Sequence, residues 1–347
     1  MIYDEVSFSQ PDQKTPVDPI FHEALSIGLD HVSNNRFSEA LAIFDSLQEV
    51  YPHHPAPNFY IAATYQSWML TYRRNNFQND FYENTILAIE KGTKLQEKDN
   101  DPWLNFYVGA AYGYKALLLF RRHNWIGAYI DGRKGINNLN IALEKLPNLY
   151  DCYYGLGSYN YWGSVKSNFI RILVFWMEDK RKLGLDQLQL SIDRGRYCPY
   201  EAIHGLIIAY YHYGDYEKAL TLNNMAMELS NTPSIATLYM RGRLMAKFEK
   251  WSEVQDIFQS ILNQLVIQSP QSIGYQVECK YWIGEALMNQ NQPNEAYELV
   301  IQALSQSKNW IKEKEMDNPL EGFDIIKNHL EKLHDDLEKK ITKVTLP

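Results

Sequence analysis

The side chains able to do chemistry are scattered along the chain, and their spacings exclude most of it. His204 and His212 are close enough in sequence to share a helix face, and His53 and His54 precede Pro55 in a turn-like stretch. Neither pair makes HExxH or another spacing that wraps a zinc ion, so no metal site is expected. Gly155-Leu156-Gly157 could open a dinucleotide loop, but the third glycine is missing and no strand precedes it. Close helix packing accounts for it, since glycine permits near approach of two backbones. Cys152, Cys198 and Cys279 are odd in number and in no spacing of a disulfide framework, and read as small buried apolar residues. Nucleophile motifs, a phosphate loop and a paired-carboxylate signature are all absent from the sequence. The expectation is a non-catalytic chain without a cofactor.

What stands out instead is aromatic content: 25 Tyr, 8 Trp and 14 Phe, or 14% of the 347 residues. Such rings are packing anchors, and they are also the material of binding hot spots because they cover much area with few rotatable bonds. Lys and Arg total 34 against 42 Asp and Glu, a net charge of -8 that repels phosphate backbones, so nucleic acid is not an expected partner. The most apolar short stretch, Phe169 to Met177 (FIRILVFWM), carries Arg171 and is too short to cross a bilayer, and no transmembrane segment is expected. The start, MIYDEVSFSQPDQKTPVDP, lacks the basic and apolar regions of a signal peptide. Cytoplasmic residence is one expectation, and an exported or periplasmic chain already trimmed is the other.

The elements that would position these rings are helices. From Phe21 onward apolar residues recur at i, i+3, i+4 and i+7 with no sustained alternation, so helix is expected over two-thirds of the chain or more. A unit of about 34 residues then repeats. Gly28, Phe37, Ala40, Phe44, Leu47 and Pro52 form one; Leu206, Tyr210, Tyr216, Ala219 and Ala226 another; Gly242, Trp251, Val254, Phe258 and Ile261 a third; Gly284, Leu287, Ala296, Val300 and Ala303 a fourth. The last step is longer by about seven residues, placed near Gln268 to Gly274. Three looser pairs lie between: Ala62, Ala63 and Tyr65 with Ala88; Gly109 and Tyr112 with Gly135 and Ala142; Leu156 and Gly157 with Gly184 and Leu188. Small residues recur where two helices cross closely, because a larger side chain would push them apart. The expected domain plan is a flexible arm over 1–18, a solenoid of about seven hairpins over 19–310 with an aromatic insertion near 158–182, and a capping helix and tail over 311–347.

These offsets resemble the tetratricopeptide-repeat superfamily over about residues 21 to 310. The runs NWIGAYIDGRKGINNL, NLYDCYYGLGSYNYWGS, EDKRKLGLDQL and RGRYCPYEA look like a group of bacterial repeat proteins of unassigned function. The resemblance implies an all-α, right-handed superhelical α-solenoid whose usual activity is to bind a protein or peptide. It also implies a concave wall lined by the first helix of each hairpin. Carried over by register, that wall holds Tyr60, Trp68, Trp103, Phe106, Tyr114, Tyr154, Tyr161 and Trp162 in the N-terminal half. In the C-terminal half it holds Glu201, His204, Tyr211, His212, Tyr239, Arg243, Lys247, Glu278, Tyr281, Glu285 and Asn289. The superfamily's carboxylate clamp is not matched, because Leu25 and Leu29 stand at its first-unit positions. The functional expectation is a scaffold or adaptor that uses this wall. The alternative is a carrier of a small hydrophobic or carbohydrate ligand in an aromatic cavity, and the insertion is expected to bring further rings near the wall, as a plug or as a contact surface.

Overall fold

The computed structural model describes residues 18–122, 124–170, 178–229 and 233–345. Its described residues form fifteen helices and no β-strand: α1 (Pro19–Ser33), α2 (Phe37–Val50), α3 (Pro55–Tyr72), α4 (Gln78–Gln96), α5 (Pro102–Arg121), α6 (Trp125–Lys145), α7 (Cys152–Ile170), α8 (Arg181–Arg194), α9 (Pro199–Tyr213), α10 (Tyr216–Glu228), α11 (Ile235–Lys247), α12 (Trp251–Val266), α13 (Ile273–Asn289), α14 (Pro293–Ser307) and α15 (Phe323–Thr345). The described residues form an all-α array of successive helical hairpins followed by one last helix, the fold class that the repeat predicts. Among the described residues no helix is long and apolar enough to cross a membrane.

Each hairpin starts and turns by local rules. Asp18, Asp101, Asn124, Asp215 and Ser234 cap the first turns of α1, α5, α6, α10 and α11, accepting from backbone N–H groups that a helix leaves unpaired. Four of the turns between paired helices contain a left-handed residue two positions before the second helix begins: Asn35, Gly214, Glu249 and Asn291. Asn and Gly tolerate that backbone readily, whereas Glu249, at φ 56°, does not.

The crossings are as close as the small residues predict. A Cβ placed on Gly157 would lie 2.8 Å from the carbonyl oxygen of Gly184, and one on Gly184 would lie 2.6 Å from the backbone nitrogen of Tyr161. There α7 and α8 touch backbone to backbone, as do α5 and α6 at Gly109 and Gly135. At Gly28 and Gly242 the neighbour is a ring, Phe44 and Phe258 respectively, so the glycine makes room for the aromatic anchor of its partner helix.

The chain divides into two compact units, Met1–Gln66 with Gln78–Leu206, and Ser67–Phe77 with Ile207–Pro347. In the first unit α5 packs on α4 and α6, α6 on α7, α7 on α8, and α5 also meets α7, so first helices of successive hairpins adjoin. In the second, α11 to α14 pack in sequence, and α15 lies against both α13 and α14. Ile326, Leu330, Leu333 and Leu337 of α15 are buried there.

The two expected insertions take different forms. Residues 158–170 continue α7 as helix, and 178–180 lead into α8; the stretch 171–177, with most of FIRILVFWM, lies outside the described residues. Near Gln268 to Gly274 the connection between α12 and α13 is only 267–272, and the remaining extra length goes into longer helices. Of the N-terminal arm, 1–17 also lies outside the described residues.

Candidate binding site

In the first unit, the expected wall has largely become core. Tyr60, Trp103 and Phe106 are buried in one cluster with Phe21, Leu25, Phe59, Tyr107 and Tyr197. The rings meet mostly edge to face, with Trp103 5.4 Å from Phe106 and 5.5 Å from Tyr197. Tyr197, just before α9, and Phe21, in α1, share this cluster, and His22 of α1 bonds to Tyr197 and Arg196 through its two ring nitrogens. The interior of this unit is therefore filled by its own aromatics. Tyr161 is buried beside Trp162, 5.0 Å away ring to ring.

The start of α9 is fixed by Asp151, which no local pattern singles out. Its buried carboxylate accepts from the backbone N–H groups of Arg196, Tyr197 and Cys198 at 2.6 to 3.1 Å. Burial pushes this carboxyl up against the pull of those three donors. The Cys152 and Cys198 thiols are pushed up by burial beside it, so neither is primed as a nucleophile.

Next to this anchor, Tyr114 of α5, Tyr154 of α7, and Glu201 and His204 of α9 are half-buried. Glu201 and Gly205 stand one turn apart on α9, and the Tyr154 ring lies over Gly205, with its Cε2 3.4 Å from where a Cβ would sit. Tyr114 and Tyr154 both lie within electrostatic reach of Glu201. Oε2 of Glu201 has no hydrogen-bond partner, and burial, with a smaller push from Asp151, raises the carboxyl to about 7. Burial lowers the His204 imidazole, whose Nδ1 lies 3.0 Å from the Tyr200 carbonyl oxygen. Three successive hairpins thus place two phenols, an imidazole whose charged form burial disfavours and a readily protonated carboxyl near one another, each half-buried.

In the second unit the register positions meet charge. Glu278 is buried on α13, where it pairs with Arg73 and accepts from the Tyr239 hydroxyl at 2.8 Å and from Asn318 at 3.1 Å. Arg243 donates to the Tyr239 hydroxyl at 2.7 Å and to Glu321 at 2.7 Å, and its guanidinium stands 4.7 Å from the centre of the Trp282 ring. Burial alone would raise Glu278, but the Arg73 and Arg243 guanidiniums outweigh it and hold the carboxyl below the usual range. Arg73, Asn318 and Glu321 were invisible as members of this group, because nothing in local sequence links positions so far apart.

The segment 308–322 covers this cluster. It supplies Asn318 and Glu321, pairs in antiparallel fashion with the turn at Arg74, and sends Glu315 to the N-terminus of α13, where the carboxylate accepts from Ser272, Ile273 and Gly274. Among the other expected wall residues, Tyr281 is buried and donates to Glu285, Asn289 is exposed and donates to the Glu285 carbonyl, and Tyr211 is buried under Lys247 and Arg243. Lys247 and His212 are exposed, and Trp68 is half-buried against Phe77. Elsewhere His334, Asp335 and Glu338 bring ligand atoms within 4.8 Å on the surface of α15, and Glu338 already accepts from Tyr297.

No family model matches the chain, and no curated protein matches it in sequence. Among solved structures it is similar to the apo form of the quorum sensor NprR from B. thuringiensis, at 13% identity over 91% of this chain and 81% of that one, with a TM-score of 0.46. It is also similar to NprR in complex with its cognate peptide NprX, at 14% identity over 95% and 89% of the two chains, TM-score 0.40. Yeast Tom70 is similar at 12% identity over 94% and 90%, TM-score 0.35.

Proposed function

We propose that this chain is a non-catalytic protein that binds a peptide or an extended protein segment, and that the face formed by Tyr114, Tyr154, Glu201 and His204 is where it binds. The observation that carries this reading is the Glu201 carboxyl oxygen without a hydrogen-bond partner, set among half-exposed rings that come from three successive hairpins. A buried polar atom left unpaired costs free energy, and a ligand donor that reached it would recover that cost on binding. Two phenols beside it supply area and hydrogen bonds at little entropic cost. The carrier reading finds less support: an open cleft of about 420 Å³ runs past Tyr213, Asp215, Tyr216 and Phe248, and a more closed void beside Glu278 measures about 10 Å³, barely room for one water.

The test is selection from a randomised peptide library on the immobilised chain. Enrichment of a sequence pattern that Tyr154→Ala and Glu201→Gln both weaken, in variants that still melt cooperatively, is the expected result. Enrichment untouched by either substitution would move the site elsewhere, and none at all would overturn the reading.

A further inference from the structure

The hairpin α5–α6 carries a second surface with a different chemistry. On α6, Trp125, Ile126, Tyr129 and Ile130 are 45%, 76%, 59% and 47% exposed, and Leu117 of α5 is 39% exposed. Positions i, i+1, i+4 and i+5 fall on one face of a helix, so the four α6 side chains form one continuous ridge. Phe120 holds the Trp125 ring edge to face at 5.1 Å, which fixes the ridge at its start. A monomeric chain rarely leaves so many large apolar side chains side by side in water.

The charge around the ridge runs against that of the chain. Residues 102–143 contain five basic side chains, Lys115, Arg121, Arg122, Arg133 and Lys134, and one acidic one, Asp131. That is +4 in a chain of -8, which leaves -12 for the rest. Asp131 is buried and paired with Lys115 at 3.0 Å, so the only carboxylate of the stretch is neutralised on the inner side of α6. Arg122, Arg133 and Lys134 are exposed at the margins of the ridge.

We infer that this ridge is a peripheral attachment site for an anionic lipid surface, with Ile126 and Ile130 entering the acyl boundary, Trp125 and Tyr129 at headgroup depth, and the basic rim on lipid phosphates. Apolar side chains with Trp and Tyr among them, bordered by Arg and Lys, are the composition that holds a helix in the plane of a bilayer interface. The -12 carried elsewhere keeps other faces off the same surface and so sets orientation. The site is separate from the peptide-binding face and does not depend on it.

Co-sedimentation of the full chain with phosphatidylcholine vesicles, and with vesicles of phosphatidylcholine and phosphatidylglycerol, tests this. Binding to the anionic vesicles at low salt, stronger by roughly tenfold than to the neutral ones and reduced by added salt, is expected. Ile126→Glu with Ile130→Glu should abolish it while the melting temperature stays unchanged, since both residues are exposed. Arg133→Gln with Lys134→Gln should weaken it by roughly tenfold. No sedimentation with either vesicle overturns the inference; so does equal binding to both, or binding that the isoleucine variant retains.

Discussion

The two units solve the same problem, what to place where the first helices of successive hairpins converge, with opposite materials. The first uses rings: Trp103, Phe106, Tyr107 and Tyr60 interlock with Phe21 and Tyr197. The second uses charge, with Glu278 between Arg73 and Arg243 and a segment of the chain's own C-terminal region laid over it. Aromatic packing is tolerant, since each ring contributes mainly by area removed from water. A buried charge group is not tolerant, because removing one member strands the others in a low dielectric. The first interior is thus stabilised by many small interchangeable terms, and the second by few terms that depend on one another.

Breaking the second interior should have the largest effect. Glu278→Ala leaves Arg73 and Arg243 buried without their shared partner and should cost roughly 3 to 5 kcal/mol, read as the loss of the most stable transition in a denaturant melt. The pH dependence has a definite sign. Glu278 has its folded value below its unfolded one, so its stabilisation is fully present above the ordinary glutamate range and is lost as pH falls through the depressed value. If the variant melts like the wild type, the cluster is decoration and the contrast between the units fails.

The first interior carries one charge problem at its edge, with the opposite sign. Glu201 is raised from 4.5 to about 7 by burial, so the folded chain binds more protons than the unfolded one between those values. Its contribution is most favourable below about 4.5 and declines as pH rises through about 7. Glu201→Gln should therefore stabilise the protein by roughly 1 to 2 kcal/mol at pH 8 and leave it unchanged at pH 4. Melting curves at the two pH values check this, and an equal shift at both would show that the carboxyl is already solvated.

The smallest effect lies in a turn. Glu249→Gly removes a left-handed glutamate but frees the unfolded chain, so the net gain should be no more than about 1 kcal/mol. Asn35→Gly, at a residue that already tolerates φ 60°, is the control and should gain less. A larger gain there than at Glu249 would contradict the strain argument.

Much of the fold was legible because it is written locally. Periodicity placed the helices, and the repeat offsets that hold Gly157 with Gly184 and Gly28 with Phe44 marked the crossings. The wall was legible only as a set of positions. Register pointed to Trp103 and Tyr239 alike, but whether such a residue faces a partner, fills a core or lies beneath another segment depends on what arrives from far away. Tyr197 reaches the first case and Asn318 the second, and neither carries a local signal. Asp151 was missed for the same reason: its three donors lie some 45 residues ahead.

The Arg73 to Glu278 pair also sets a clock. The two residues are separated by 205 positions, so at ribosomal speeds of about 5 to 20 residues per second Arg73 leaves synthesis roughly 10 to 40 s before its partner exists. During that interval a guanidinium destined for the interior must stay in water, and the turn after α3 cannot adopt its final surroundings. The first unit, whose last residue is Leu206, has all its parts well before then. Birth order alone therefore makes the aromatic interior the earlier one to close, and leaves the charged interior waiting for the segment 308–322 that covers it.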